Sequence, residues 1–362
     1  MEQSPTSHQK LATGALALRL VVITVLVGGL AVLFLYAGGW LSPHQLTPAR
    51  FVDGLEQVGG KHPGFRRNHS KGVCVAGYFE SNGSGAEFSK AKVFQQGRVP
   101  ILGRFSLGGG MPDAADTAQT VRGLGICFQL PGADEWRTAM INLPVFPFRT
   151  PQAFYDQLLA SAPDPATGKP DPEKMHAFVD AHPEFAAAVK IIGARTISSG
   201  FENSEFNGLN AFRFTDANGK ETWARWSVVP ENPEGTNSQS APPANKNYLF
   251  DSLIAAVHRG PLKWRLLLTI AEPGDPTDDA TLPWPSDRKS VEVGTVVVDH
   301  IESDDTSPAR DLNFDPLILP EGISPSDDPL LSARSAVYSQ SFTRREGEEK
   351  SPSPVSSEET EK

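Results

Sequence analysis

The hydrophobic pattern changes character along the chain. Residues 20–36, LVVITVLVGGLAVLFLY, carry no charge, and apolar character continues to Trp40. About 20 such residues coiled as a helix cross a hydrocarbon layer ~30 Å thick. Tyr36 and Trp40, at the far end, suit the aromatic belt of a membrane interface. A cleaved signal peptide is the rival, but its apolar region is only about 7–15 residues long, so the length favours a permanent anchor over 14–40. Beyond it the pattern is mixed. Residues 47–58 are amphipathic at helical spacing. Short apolar or alternating runs predict strands at 73–80, 91–94, 99–107, 125–130, 138–141, 209–215, 222–229, 263–271 and 290–298. Residues 151–194 read as a helix-rich insert, and 246–259 as a helix. Asp216-Ala217-Asn218-Gly219 joins two of the strands, and Asn-Gly is a strong hairpin signal. Helices gathered between runs of strands predict an α+β fold with an antiparallel sheet or barrel.

A last helix is predicted from Pro329, capped by Asp328. Leu331, Arg334, Tyr338, Phe342 and Arg345 recur at three- and four-residue steps and share one face. Arginines beside a tyrosine on a surface helix commonly only snorkel. The chemical alternative is that a guanidinium one turn away favours ionisation of a phenol, which ordinarily titrates near pH ~10. A phenolate is a hard ligand for ferric iron, and tyrosine is the axial heme ligand of catalases.

The net charge of -10 argues against a nucleic-acid partner. Part of that acidity follows Arg345, where Glu, Ser and Pro predict a disordered tail over 346–362. The two cysteines, Cys74 and Cys127, exclude a disulfide scaffold and any cysteine-rich metal site; an exported domain leaves a single bridge between them open, but each lies in an apolar run and reads as a buried thiol. Lys10 and Arg19 precede the apolar run, and only Arg50 follows it closely. That bias places residues 1–13 in the cytoplasm and the remainder in the periplasm.

Four further segments carry chemistry. Arg66-Arg67-Asn68-His69-Ser70-Lys71-Gly72 leads into Gly77-Tyr78-Phe79-Glu80, and Gly103-Arg104-Phe105-Ser106 is followed by residues 116–125. Then come Met140-Ile141-Asn142-Leu143-Pro144 and, much later, Asn313-Phe314-Asp315-Pro316 ahead of the last helix. In this order, over about residues 55–345, they resemble the distal and proximal segments of heme catalases. The resemblance implies a catalase-like antiparallel β-barrel with surrounding helices over 47–345, holding heme, with heme b expected. It makes His69 the distal acid/base, Asn142 its amide partner and Ser106 the group that orients His69. Tyr338 would ligate iron and Arg334 would hold it ionised. Arg66, Arg104 and Arg345 would meet the heme propionates, and Phe154 would pack on the porphyrin.

The other histidines (His8, His44, His62, His176, His182, His258, His300) read as surface groups, and Arg67 and Lys71 as solvated charge. Catalases have a longer N-terminal arm and a helical C-terminal region, so NADPH is not expected here and the oligomeric state is left open. Where many catalases have a proximal histidine, this chain has Asn210. The pattern is similar to the minimal, catalase-related peroxidases, which implies reduction of hydrogen peroxide or small organic hydroperoxides by an external organic donor, through a ferryl intermediate. The alternatives are a true catalase, an enzyme rearranging lipid hydroperoxides, or a heme sensor without turnover.

Overall fold

The computed structural model describes residues 13–38, 41, 45–132, 134–164, 166–233 and 245–356. It divides after Arg50 into two units. In the first, helix α1 (Thr13–Ala37) contains a stretch, Gly14–Ala37, with mean hydropathy 2.7 and no buried residue. It is long and apolar enough to be a membrane span or a signal sequence. The expectations for residues 1–12, Trp40, His8 and His44 lie outside the described residues.

In the second unit the alternation expected of half-buried strands appears directly. Trp136, Thr138 and Met140 point inward from β4 (Glu135–Ile141). Ala224, Trp226 and Val228 do so from β7 (Glu221–Pro230), and Trp264, Leu266 and Leu268 from β8 (Leu262–Ile270). With β1 (Gly72–Ser81), β2 (Gly97–Leu107), β3 (Arg122–Gln129), the two-residue β5 (Phe206–Asn207) and β9 (Ser290–Glu302), they form an antiparallel ring. Its order is β1-β2-β3-β4-β5-β7-β8-β9, and β9 closes on β1 through pairs such as Tyr78 with Val297. Closure leaves these eight strands no free edge, and inward side chains of every strand fill one core. Strand β6 (Phe212–Thr215) pairs with β7 across the predicted hairpin, where Gly219 takes the left-handed φ of 84° that Asn-Gly turns require. The short β10 (Ile323–Pro325) extends the sheet beyond β6.

Helix α2 (Pro48–Gly59) buries Phe51, Val52 and Leu55. The insert is three helices, α3 (Pro151–Ser161), α4 (Pro172–Ala181) and α5 (Pro183–Gly193), around Phe148, Ala153 and Phe178. Helix α6 (Tyr248–Arg259) packs its apolar face on the barrel. Helix α7 (Pro329–Glu346) starts as predicted: the Asp328 side chain accepts from the Leu330 N–H at 2.9 Å.

Two expectations are corrected. Residues 91–94 are not a strand but a 3₁₀ turn, Lys92–Phe94, whose Val93 and Phe94 enter the core from a loop. Residues 346–356 do not form a disordered tail. Val355 is fully buried and its carbonyl accepts from Ser303 Oγ, while Glu348 pairs with Arg67. A polar sequence is held here by specific partners on the barrel, which its composition does not reveal. Residues 357–362 lie outside the described residues.

Candidate active site

A cavity of about 440 Å³ opens beside β3, of a size that suits a small-molecule or cofactor site. Of the nine predicted site residues, eight line it: Arg66, His69, Arg104, Ser106, Phe154, Arg334, Tyr338 and Arg345. They come from the loop before β1, from β2, from α3 and from α7, so the closed barrel brings together residues up to 279 positions apart.

His69 has a left-handed backbone, φ 57°, a strained conformation for a residue with a Cβ. It is held by a donation from Arg104 Nη1 to its carbonyl at 2.9 Å and by its own N–H donating to Asn68 Oδ1 at 3.0 Å. The ring is oriented by Nδ1, 3.1 Å from Ser106 Oγ, which leaves Nε2 for the cavity. Gly123 makes that pairing possible, since a Cβ there would lie 2.9 Å from both His69 Nδ1 and Ser106 Oγ. Burial, then Arg104, Arg66 and Arg334, bring the imidazole pKa down to about 4, so at neutral pH the ring is uncharged.

Asn142 is the exception among the nine. It is not on the cavity wall, although its neighbours Ile141 and Leu143 are. Its Oδ1 accepts from the Arg122 N–H at 2.8 Å and its own N–H donates to the Arg122 carbonyl, so the carboxamide is fixed to the start of β3. Arg122 is itself immobilised, its guanidinium donating to Ser198, Gly200 and Ser204.

On α7, the Arg334 guanidinium lies 5.8 Å from the centre of the Tyr338 ring. Its Nη1 donates to Asn210 Oδ1 at 2.7 Å and its Nη2 to the Ala139 carbonyl at 2.9 Å. Asn210 Nδ2 in turn donates to Asp328 Oδ2 at 2.8 Å. Asn210 thus does more than occupy a histidine's place. It links the arginine beside Tyr338 to the cap of the same helix.

The three remaining arginines behave differently from one another. Arg104 is engaged with Asp304, Nε to Oδ1 at 2.9 Å and Nη2 to Oδ2 at 2.7 Å, and with the His69 and Ser70 carbonyls. Of its five N–H groups one, on Nη1, remains. Arg104, expected at a propionate, thus keeps one N–H on the cavity for such a partner, and the rest of its guanidinium is shared between Asp304 and the His69 loop. Arg66 donates to the Leu312 carbonyl at 2.8 Å, and burial with the nearby Arg104 and Arg345 holds its pKa well below the usual guanidinium range. Arg345 donates to the Arg310 carbonyl at 2.9 Å, its Nε is buried with no partner, and burial lowers its pKa to about 10. Its nearest carboxylate, Asp311, is 3.9 Å away. Two buried cations, each depressed by burial and by Arg104, one with an unpartnered N–H, fit an edge that receives carboxylates.

Arg67 and Lys71, expected in solvent, are buried. Arg67 pairs with Glu56 at 2.7 Å and with Glu348, and Lys71 with Asp116 at 2.6 Å. Asp304 was not foreseen, because it sits in the polar run 302–305, which reads as solvated. Both cysteines are buried free thiols, as expected, and Cys74 Sγ donates to Asp304.

A family model described as catalase matches residues 43–360. The chain belongs to the catalase family. A catalase-related peroxidase of Synechococcus elongatus is 38% identical over 304 residues, covering 83% of this chain and 89% of that protein. One from Mycolicibacterium paratuberculosis is 33% identical over 304 residues, covering 83% and 96%. A crystal structure of a fungal catalase shares the fold with a TM-score of 0.70 at 21% identity, covering 79% of this chain and 60% of the other. The chain thus spans about three fifths of the solved catalase's length, but most of the length of the two peroxidases. The family's antiparallel barrel is the one expected from the motifs, built here of the eight strands described above.

Proposed function

We propose that this protein is a heme-dependent peroxidase that reduces hydrogen peroxide or small organic hydroperoxides with an external organic electron donor. The observation that carries this reading is a neutral imidazole, held by Ser106, on the same cavity as Tyr338 and its partner Arg334. Peroxide as substrate follows from the catalase family and from relatives named catalase-related peroxidases over most of both chains.

The residues present fit a heme. Tyr338 would hold the iron, Arg66 and Arg345 would receive the propionates, and Phe154 would lie against the macrocycle. Phe154 is itself stacked on Phe148, ring centres 4.5 Å apart, in a rigid aromatic wall. Bound there, the heme supplies the redox chemistry of O–O cleavage. The chain's own part is proton transfer. His69 Nε2 accepts the proton of one peroxide oxygen and returns it to the other, and its low pKa keeps the ring ready to accept it at neutral pH. Ser106 keeps the ring's orientation throughout, and Arg334 sets the charge beside Tyr338. Overall ROOH gains two electrons from the donor and two protons, leaving ROH and water.

α1 serves as a membrane anchor in this reading, with the catalytic domain in the periplasm, following the charges Lys10 and Arg19 before the span. The test is peroxide consumption by the purified protein with and without an aromatic reductant, alongside oxygen release. Consumption that requires the reductant and falls by orders of magnitude in His69→Ala supports the reading. Steady oxygen release from peroxide alone would reassign the protein as a catalase, and a His69→Ala variant of full activity would overturn the proton-transfer role.

A further inference from the structure

Asn68 directly precedes His69 and lines the same cavity. Its Oδ1 accepts two backbone N–H groups, His69 at 3.0 Å and Gly109 at 2.7 Å. Two donors converging on one atom identify that atom as the oxygen, so the orientation of the amide is set by its bonding. Nδ2, with two hydrogens, then has no partner among the described residues, and it belongs to a side chain on the cavity wall. Ser106 Oγ is engaged with His69 Nδ1 and both ends of Asn210 with Arg334 and Asp328, whereas Asn142 has its Oδ1 bonded to the Arg122 N–H and is not among the residues lining the cavity.

The edge of the cavity beside Asn68 is formed by Gly108 and Gly109, with Val121 behind Gly108. A Cβ at Gly108 would lie 3.3 Å from Val121 Cβ, whereas one at Gly109 would meet nothing within 4 Å. A peroxide whose polar end lies at His69 and Asn68 therefore has open space at Gly109.

Resting on the reading of this cavity as the peroxide site, we propose that Asn68 is a second substrate-binding residue of the distal wall. Nδ2 donates a hydrogen bond to the bound peroxide, Oδ1 holds the strained His69 backbone, and the Gly108–Gly109 edge admits the organic substituent of an alkyl or aryl hydroperoxide. Asn68 transfers no proton. It fixes the peroxide so that His69 Nε2 meets the oxygen that carries one.

The test uses the full-length heme-loaded enzyme on its plateau above pH 7. Asn68→Val removes both functions. Asn68→Asp is isosteric and keeps the acceptor for both backbone N–H groups while losing the donor. Both variants are expected to lower kcat/KM for hydrogen peroxide and for cumene hydroperoxide about tenfold, the loss of one hydrogen bond. Affinity for cyanide, titrated from the absorption spectrum, is expected to fall by a similar factor in Asn68→Val. Unchanged rates in Asn68→Asp would overturn donation from Nδ2, and unchanged rates and cyanide affinity in Asn68→Val would overturn the whole role. In the unmodified enzyme, kcat/KM is expected to stay within about tenfold from hydrogen peroxide through tert-butyl to cumene hydroperoxide, and a collapse of more than a hundredfold would refute the open edge. An unmodified enzyme that reduces no peroxide would fell the functional reading and this inference with it. An active one indifferent to Asn68→Val would fell the inference alone.

Discussion

Replacing Asp304 by Asn tests how the His69 loop is braced. Arg104 and Asp304 are 3% and 4% exposed as side chains and joined at 2.7–3.2 Å through Nε and Nη2. Arg66 lies close enough to help hold the Asp304 carboxyl below its usual range, after Arg104. Asparagine fills the same space but offers one acceptor and turns an N–H toward another N–H. The one charge-assisted bond that is lost contributes roughly 1.5–3 kcal/mol. Leaving the buried Arg104 without its counter-charge brings the cost to about 3–5 kcal/mol. A large fraction of a typical domain's total stability is therefore at stake. Urea unfolding monitored by tryptophan fluorescence should register a loss in that range. The freed Arg104 charge should also depress the His69 pKa further, moving the acid limb of activity to lower pH. A loss below about 1 kcal/mol, with an unmoved acid limb, would refute the reasoning that Asp304 neutralises the arginine bracing the catalytic loop.

Other expectations follow from the same geometry. Activity should fall through a single ionisation near pH 4, because His69 must be neutral to accept a proton. Its pKa is lowered from 6.5, so the unfolded chain binds more protons between pH 6.5 and 4, and stability should drop as pH falls through that window, by at most about 3 kcal/mol. A pH series of unfolding midpoints on His69→Gln, which should lose this slope, checks the sign. Gly123→Ala should displace His69 from Ser106 and cut kcat tenfold or more with little change in secondary structure, read by steady-state kinetics and circular dichroism. Glu348→Ala removes a partner of buried Arg67 and should destabilise by about 3 kcal/mol in urea unfolding, a result that a loose tail would not give.

What was legible in the sequence was set by local pattern. Alternation located most barrel strands to within a few residues, and the Asp328-Pro329 start with its helical repeat placed Arg334, Tyr338 and Arg345 on one cavity. What misled was burial fixed by distant partners. Arg67 and Lys71 sit in a charged run, and nothing near them announces Glu348, 281 residues away, or Asp116. Arg104 carries no local sign that Asp304 will occupy it. The tail 346–356 is polar enough to be disordered and is held by bonds to Arg67, Arg310 and Ser303. Asn68, next to His69 in the chain, lines the cavity with Asn207, Asn210 and Asn313, and the charged run around it hid that place.

The central claim is that the cavity binds a heme through Tyr338, with His69 on the same cavity as the proton acceptor. The absorption spectrum of the purified protein, compared with that of Tyr338→Phe, tests it most directly. The account predicts a ferric heme spectrum with the charge-transfer bands of a tyrosine ligand, altered by one equivalent of peroxide, and those bands lost in Tyr338→Phe. A protein that binds no heme, or a Tyr338→Phe spectrum identical to that of the unmodified protein, would contradict it.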